Sequence, residues 1–281
     1  MTTRYCRAGP EDADAIERFL SRYSETSMFL RSNLAECGIG NGDRAHATDY
    51  ILWREHEDIR AVFGLTRSGY LLVQMPDRVP DLATLIPFWA GRHVLGMSGA
   101  SDQVGNVLPA LGLLPDQDDL VEDEPLLVLD LHDLATGDDT LRAVCSGDGD
   151  ILSNWFCSYG KETGLPFSKV DIERRVQSAL VDGLVQILES EGQPVAMTSV
   201  NAAVENTIQI GGVFVPRSVR NRGYGRWVVA AQLAQARDNG VRCAILFAAN
   251  KAAEAAYAAI GFRRIGTYRV VMFNTPRTIV G

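Results

Sequence analysis

The chain has 281 residues, of which 46% are hydrophobic and 22% charged, with a formal net charge of −8. This length and apolar content allow two folded domains with substantial cores, and they exclude a disordered tail. The acidic balance disfavours nucleic acid as a partner, and no apolar run approaches the roughly 20 residues that span a bilayer.

The five cysteines and four histidines are scattered along the chain, and no two cysteines form a C-x-x-C pair. This spacing favours reduced thiols over a disulfide framework, and it predicts that no metal is bound. The N-terminus is charged within its first residues and lacks the apolar core of a signal peptide. We therefore expect a cytoplasmic protein with neither metal, nucleic acid nor membrane as a partner.

The first half of the chain starts with a strand, which leads through a Gly-Pro turn with acidic residues into a helix. Periodicity then predicts helices over 13–22 and 26–37, strands over 50–53, 60–65 and 70–74, a helix over 82–90, a strand over 94–97, a helix over 103–111 and a strand over 126–130. Strands that come first in hairpins and then alternate with helices indicate a mixed sheet.

The second half repeats this order after a polar, turn-rich segment at 133–140. After a strand from residue 141, the patterns predict helices over 152–160 and 172–181, strands over 185–190, 194–200 and 207–215, a helix over 225–238, a strand over 243–247, a helix over 251–260 and a strand over 268–273. We predict two domains, 1–135 and 136–281. The repeated order indicates a duplication, and two unrelated α/β halves with a coincidental strand-turn-helix start are the alternative.

Arginines and glycines gather where the strand predicted over 207–215 meets the next helix. They are Arg217, Arg220, Arg222, Gly223, Gly225 and Arg226. N–H groups at a helix start lack partners within the helix, glycines allow close approach, and arginines suit phosphate oxygens. The combination predicts a phosphate site, while solvated arginines at a helix start are the alternative. The nucleotide motifs G-x-G-x-x-G and G-x-x-x-x-G-K-[ST] are absent.

Two motifs follow successive strands of this half. R-x-x-G-x-G starts at Arg220, and N-x-x-A-x-x-x-Y-x-x-x-G-F starts at Asn250. In this order and at this separation they resemble the GCN5-related N-acetyltransferase (GNAT) superfamily, over about residues 141–281. The fold class that the resemblance implies is α/β (mixed α+β), with two tandem GNAT-like domains, each a mixed central sheet flanked by helices.

The resemblance also implies where acetyl-CoA, as cosubstrate, lies: between two splayed parallel strands, 207–215 and 243–247. The pyrophosphate would sit on the amides of 221–226, and the pantetheine arm would pair with the main chain of Val213 and Val215. The residues implied to hold acetyl-CoA are Val213, Phe214, Val215, Arg220, Asn221, Arg222, Gly223, Tyr224, Gly225, Arg226, Asn250 and Tyr257.

Tyr257 and Asn250 are the residues that the resemblance implies for catalysis. Tyr257 would protonate the CoA sulfur, and packing of its ring in the helix is the alternative. Asn250 would contact the pantetheine arm, cap the following helix, or both. The motifs do not identify a general base, because Gln209 occupies the position where some relatives have a glutamate. The alternatives are Glu205, a water chain, or an amine that arrives already neutral and needs no base.

Acceptor contacts in this fold commonly come from the first two helices of the domain. The candidates there are Asn154, Phe156, Tyr159 and Glu162, although a helix with Trp155 and Phe156 also fits a core. The first half lacks both motifs: its loop counterpart is expected near 94–105, and 108–113 resemble the helix-to-glycine end. It reads as a degenerate GNAT-like domain that does not hold CoA and shapes the acceptor cleft or an interface.

The resemblance therefore implies an enzyme, an acyl-CoA-dependent N-acetyltransferase. It would transfer acetyl to a primary amine of an unidentified small molecule or peptide, by direct attack in a ternary complex, as a monomer or homodimer. Transfer of a longer acyl group is an alternative within enzymes. A non-catalytic CoA-binding regulatory or interaction protein and a nucleotide-binding protein are the alternatives from other classes.

Overall fold

The computed structural model describes residues 3–40, 42–77, 81–135, 141–165 and 167–281. Its strands are β1 (Thr3–Arg7), β2 (Thr48–Glu55), β3 (Asp58–Thr66), β4 (Tyr70–Gln74), β5 (His93–Ala100), β6 (Leu120–Asp130), β7 (Leu141–Ala143), β8 (Val185–Ser190), β9 (Gln193–Val204), β10 (Thr207–Phe214), β11 (Cys243–Phe247) and β12 (Arg263–Thr278). Its helices are α1 (Ala13–Leu20), α2 (Ser24–Cys37), α3 (Ile86–Trp89), α4 (Ser101–Ala110), α5 (Gly149–Thr163), α6 (Lys169–Asp182), α7 (Tyr224–Asp238) and α8 (Lys251–Ala258).

The chain divides into two compact units. The first consists of Met1–Glu124 and Gly266–Gly281, and the second of Pro125–Ile265. The predicted helices and strands are confirmed at their places in the chain, although the last strand is longer than predicted because it runs over Arg263–Thr278. In the part of the chain that the structure describes, no helix combines the length and apolar character needed to cross a membrane.

The first unit is a mixed sheet in the order β1-β2-β3-β4-β5-β12. Only β4 and β5 pair in parallel, and the other neighbours are antiparallel. Successive residues of a strand point to opposite faces, so Leu52 packs with α1 and α2, whereas Ile51 packs with α3 and α4. Both faces of this sheet are therefore covered by helices.

The second unit has the matching order β7-β8-β9-β10-β11-β6, again with a single parallel pair, β10 and β11. One face packs against α7 and α8, where Ile208 and Ile210 of β10 meet Val228 and Val229. The other face packs against α5 and α6, with Phe214 among the buried residues. Each unit thus has the mixed sheet flanked by helices that the resemblance implied.

The two units do not coincide with the predicted domains, 1–135 and 136–281. Residues Leu126–Asp130 of β6 pair with β11 and so belong to the second sheet. The last strand pairs with β5, and its Arg269 binds Asp123, so the C-terminal residues belong to the first unit. Local patterns cannot identify strand partners that lie far apart in sequence. Of the predicted joining segment 133–140, residues 136–140 lie outside the described residues.

Gly96 of β5 lets β12 approach, since a Cβ at this position would overlap the carbonyl oxygen of Val271. We expect Gly96→Ala to lower the free energy of unfolding by about 1–3 kcal/mol, the usual cost of overpacking. Gly266→Ala is the control, because no atom lies within 4 Å of a Cβ added there. Urea unfolding of both variants checks this, and equal midpoints would show that the β5–β12 pairing is wrong.

Candidate active site

The parallel strands β10 and β11 separate at one end. Their register joins Thr207 through Ile210 to Cys243 through Leu246, after which β10 continues to Phe214. The pairing of β10 with β9 shifts register between Gly211 and Phe214, which marks a bulge that bends the strand. The second unit therefore contains a splayed parallel pair at the position that the resemblance implied.

Two glycines at the bulge bring polar side chains of β9 close to the main chain. The Asn201 side chain occupies the space that a Cβ at Gly211 would need, and Ser199 Oγ donates to the Gly211 carbonyl oxygen at 3.0 Å. Gly212 has a φ of +58°. Sequence reasoning missed this cluster, although adjacent glycines within a strand indicate a bulge or a close approach of backbone.

The loop that follows β10 presents backbone amides at the start of α7. Asn221 and Gly223 have φ values of +63° and +89°, a left-handed backbone of the kind found in anion-binding nests. The amides of Arg226 and Trp227 donate to the Gly223 carbonyl oxygen at 3.1 and 3.2 Å. Tyr224 and Gly225 lie between these residues, in the first turn of α7. Amides at such positions have no partner within the helix and point out of its N-terminal end.

The arginines of this loop do not all face the amides. Arg220 donates from Nε to the carbonyl oxygen of Val215 at 2.8 Å and from a terminal nitrogen to Glu162 Oε2 at 2.5 Å. Arg217 donates from Nε to Glu162 Oε1 at 2.8 Å. Arg222 is exposed, and the guanidinium of Arg226 lies 5.9 Å from the ring centroid of Trp227. Arg220 thus faces a carboxylate and the end of β10.

Glu162, one of the candidate acceptor contacts, binds two arginines near the end of α5, and its contact with an acceptor stays a prediction. Partial burial acts to raise the pKa of Glu162, but the hydrogen bonds and charges of Arg220 and Arg217 outweigh it and lower the pKa below its usual range. The carboxylate is therefore ionised at neutral pH. Its partners lie 55 and 58 residues away, so no local sequence pattern indicated the contact.

Asn250 caps α8, because its Oδ1 accepts from the Ala253 amide at 2.9 Å. The capping alternative is therefore confirmed, and contact of this exposed side chain with the pantetheine arm stays a prediction. Tyr257 is 7% exposed and packs in the core against Phe262, with ring centroids 6.2 Å apart. The packing alternative thus describes its ring, while the role of its hydroxyl stays a prediction.

The two residues considered for proton transfer on this strand have different surroundings. Gln209 is 1% exposed, and its Nε2 donates to the Ile210 carbonyl oxygen at 2.7 Å. Its Oε1 has no hydrogen-bond partner within the described ranges. Glu205 is exposed in the β9–β10 turn, and at about 3.3 Å per residue it lies roughly 17 Å from the splayed end. Glu205 therefore lies far along the strand from the splayed end, and the identity of the proton acceptor stays a prediction.

The other acceptor candidates on α5 divide between core and surface. Phe156 is 6% exposed and packs in the core beside Trp155, so the core alternative holds for it. Asn154 is exposed. Tyr159 stacks on Phe167 with ring centroids 6.5 Å apart. Asn154 and Glu162 are exposed and Tyr159 is half-buried, so contact with an acceptor stays a prediction for these three residues.

In the first unit, the strands that correspond to β10 and β11 by their place in the sheet are β4 and β5. The counterpart of the phosphate loop is therefore the segment after β4, and the prediction that it lies near 94–105 was wrong. Gln103 of α4, 6% exposed, accepts from the Met75 amide at 2.7 Å, and Val73 fills the space beside Gly99. The Gln103 side chain thus binds the main chain directly after β4.

Across the described ranges, no three His, Cys, Asp or Glu side chains are grouped so that they could hold a metal ion. The chemistry available at the second unit's site is that of backbone amides, arginines, a tyrosine and an unpaired strand edge. Such a set has the chemistry to bind an extended, anionic ligand and to polarise or protonate it.

Gly225 leaves room for a ligand above the first turn of α7, because the nearest atom to an added Cβ is Val215 Cγ2 at 3.7 Å. Gly225→Ala is therefore expected to fold normally and to raise the Kd for acetyl-CoA about tenfold, by steric exclusion of the phosphates. Gly149→Ala, at the start of α5 with nothing within 4 Å of its Cβ, is the matched control. Calorimetry would contradict the placement if both variants bound alike.

Comparison with known proteins gives a family match for most of the second unit. Residues 152–262 match the model of the Acetyltransferase (GNAT) family. No match was found among curated proteins.

Several solved structures share the fold of the chain. A GCN5-related N-acetyltransferase from Sphaerobacter thermophilus is 15% identical with a TM-score of 0.60, and the match covers 99% of this chain and 96% of that one. A Drosophila protein is 13% identical with a TM-score of 0.60, with 95% and 98% covered. A tandem GNAT protein from the clavulanic acid biosynthesis pathway is 13% identical with a TM-score of 0.53, with 100% and 99% covered.

At these identities, the likeness to solved structures shows the fold alone. The family match is independent of it, and its range contains β10, α7, β11 and α8, the elements that build the site. The second unit is therefore a domain of the GNAT acetyltransferase family, within a chain that has the fold of tandem GNAT proteins.

Proposed function

We propose that the chain is an N-acetyltransferase that moves the acetyl group of acetyl-CoA to a primary amine of a small molecule or peptide. The family match supports acyl transfer in general. The observation that carries the finer proposal is the junction between the splayed β10–β11 pair and the amide-rich loop at the start of α7. The proposed enzyme has one working site, in the second unit. It is proposed to be cytoplasmic and to act as a monomer or homodimer.

The chemistry of CoA fits the groups available at this junction. Its pantetheine arm carries amides, which suit the strand edge from Gly211 to Val215 that β11 no longer pairs. Its pyrophosphate suits the amides of the left-handed turn at Asn221 and Gly223, with Arg222 beside them. Arg220 keeps donor capacity beyond its present contacts, since a guanidinium has five N–H groups.

The proposed transfer has a simple balance of bonds and protons. Acetyl-CoA supplies a thioester, whose acyl carbon is open to attack by a neutral amine. The amine nitrogen forms a bond to that carbon, the carbon–sulfur bond breaks, and one amine proton passes to water. Tyr257 gives its hydroxyl proton to the departing sulfur and regains one from solvent, because phenols are protonated at neutral pH.

A second candidate function is a CoA-binding regulatory or interaction protein without turnover. The observation that favours it is Gln209, a side chain that cannot act as a base, at the splayed strands. The two functions differ in one measurable respect, because only the enzyme releases free CoA thiol in an acceptor-dependent manner.

The test is a thiol-release assay with acetyl-CoA and a panel of primary amines that spans small molecules and peptide N-termini. Acceptor-dependent release, together with the acetylated amine in mass spectra, is the expected result. Acetyl-CoA binding without release from any amine would favour the non-catalytic function. Longer acyl-CoA thioesters in the same assay define the acyl length.

A further inference from the structure

The carboxylate of Glu162 occupies an anion site formed by two arginines. Arg217 reaches one of its oxygens and Arg220 the other, at 2.8 and 2.5 Å. Carboxylate and phosphate oxygens are recognised by guanidinium groups through the same planar donors. The Glu162 carboxylate is thus an anion of the chain itself, and it lies beside the loop to which the proposed function assigns the pyrophosphate.

Only Arg220 of this pair belongs to the R-x-x-G-x-G motif. Arg217 lies three residues before it, and both side chains bind the carboxylate of Glu162 of α5. The Nε of Arg220 is bound to the Val215 carbonyl oxygen, which holds its guanidinium at the end of β10. Its terminal nitrogens can therefore change partners while the side chain stays in place.

The contact is exposed enough to be exchanged. The side chains of Arg217, Arg220 and Glu162 are 79%, 36% and 25% exposed. Ion pairs at such exposure contribute little to stability, because water screens them. A pyrophosphate carries more negative charge than one carboxylate, so it has the advantage in competition for the same two arginines.

The position of Glu162 on its helix adds to this balance. It lies one residue before the end of α5, where the helix dipole disfavours a negative charge. The arginines offset that repulsion as long as they stay paired with it. When an external anion takes them, the last turn of α5 loses this support, and Tyr159 with its neighbour Phe167 lies on the segment affected.

We propose that Glu162 is an internal competitor of the CoA phosphates for Arg217 and Arg220, and that Arg217 is a further phosphate ligand of the site. This inference rests on the proposed function, since it assumes that CoA binds to this loop. Glu162 lowers the affinity of the site for both acetyl-CoA and free CoA, which favours product release. It also couples occupation of the loop to the last turn of α5.

The test is calorimetric titration of free CoA into the wild type, Glu162→Gln and the control Glu173→Gln. Glu173 is an ion-paired residue of α6, and its substitution removes the same charge from the same unit. We expect Glu162→Gln to lower the Kd for CoA about three- to tenfold, and Glu173→Gln to leave it within twofold. Equal or weaker binding by Glu162→Gln, with an unchanged melting temperature, would overturn the inference.

A double substitution separates competition from general charge. In an Arg217→Ala/Arg220→Ala background the carboxylate has nothing to compete for, so adding Glu162→Gln is expected to leave the Kd for CoA unchanged. A gain in affinity that persists in this background would overturn the inference and leave the proposed function standing. Absence of CoA binding in every variant, including the wild type, contradicts the proposed function itself.

Discussion

Tyr257→Phe is expected to lower kcat about 10²–10⁴-fold, the usual contribution of a positioned general acid, and to leave the Kd for acetyl-CoA within twofold. The substitution removes only the hydroxyl. Because the ring is 7% exposed and packs against Phe262, phenylalanine keeps the same core contacts. The loss therefore falls on proton donation to the leaving sulfur.

Steady-state thiol release at saturating acetyl-CoA measures this effect. Tyr50→Phe is the matched control, because Tyr50 is fully buried in the first unit and its hydroxyl donates to the Leu30 carbonyl oxygen. Tyr50→Phe is expected to lower the free energy of unfolding by about 1 kcal/mol and to leave kcat unchanged. A kcat for Tyr257→Phe within threefold of the wild type would show that this hydroxyl is not the acid.

Arg220→Ala combined with Arg222→Ala is expected to raise the Kd for acetyl-CoA at least tenfold, and up to about 10³-fold. A charge-assisted hydrogen bond contributes about 1.5–3 kcal/mol, and each 1.4 kcal/mol is tenfold in affinity. The lower end applies to Arg220, because it is 36% exposed and must first leave Glu162. The effect is expected to weaken at higher salt, which screens the remaining charges.

Calorimetric titration of the double variant beside Arg237→Ala measures this. Arg237 lies in the last turn of the same helix and pairs with Asp238, so its loss changes charge but not the loop. Arg237→Ala should bind acetyl-CoA like the wild type. Unchanged affinity in a folded Arg220→Ala/Arg222→Ala protein would remove the pyrophosphate from this loop.

The sequence predicts local features of this fold well. Apolar periodicity predicted the helices and strands, because each element buries one face. The spacing of apolar residues on that face differs between a helix and a strand. The start of α7 was equally visible, since Gly223 and Gly225 are needed for the turn and the close approach there. Capping of α8 by Asn250 was one of the two roles that the sequence left open for this residue, because asparagine is a preferred N-cap.

Contacts between distant residues were not predictable in the same way. The pairings of β6 with β11 and of β12 with β5 join strands more than a hundred residues apart, so the unit boundaries differ from the predicted domains. The Glu162 contact and the hydrogen bond from the Met75 amide to Gln103 depend on tertiary packing. Residue type allowed several roles for each, and only the packing selects one.

The most direct test of the whole account is calorimetric titration of the wild-type chain with acetyl-CoA, beside ATP and NAD. We predict micromolar binding of one acetyl-CoA per chain, with ATP and NAD weaker, because the family match and the amide-rich loop at the start of α7 both lie in the second unit. Two acetyl-CoA molecules per chain would contradict the assignment of the first unit. No binding, or equal affinity for ATP or NAD, would contradict the acetyl-CoA site itself.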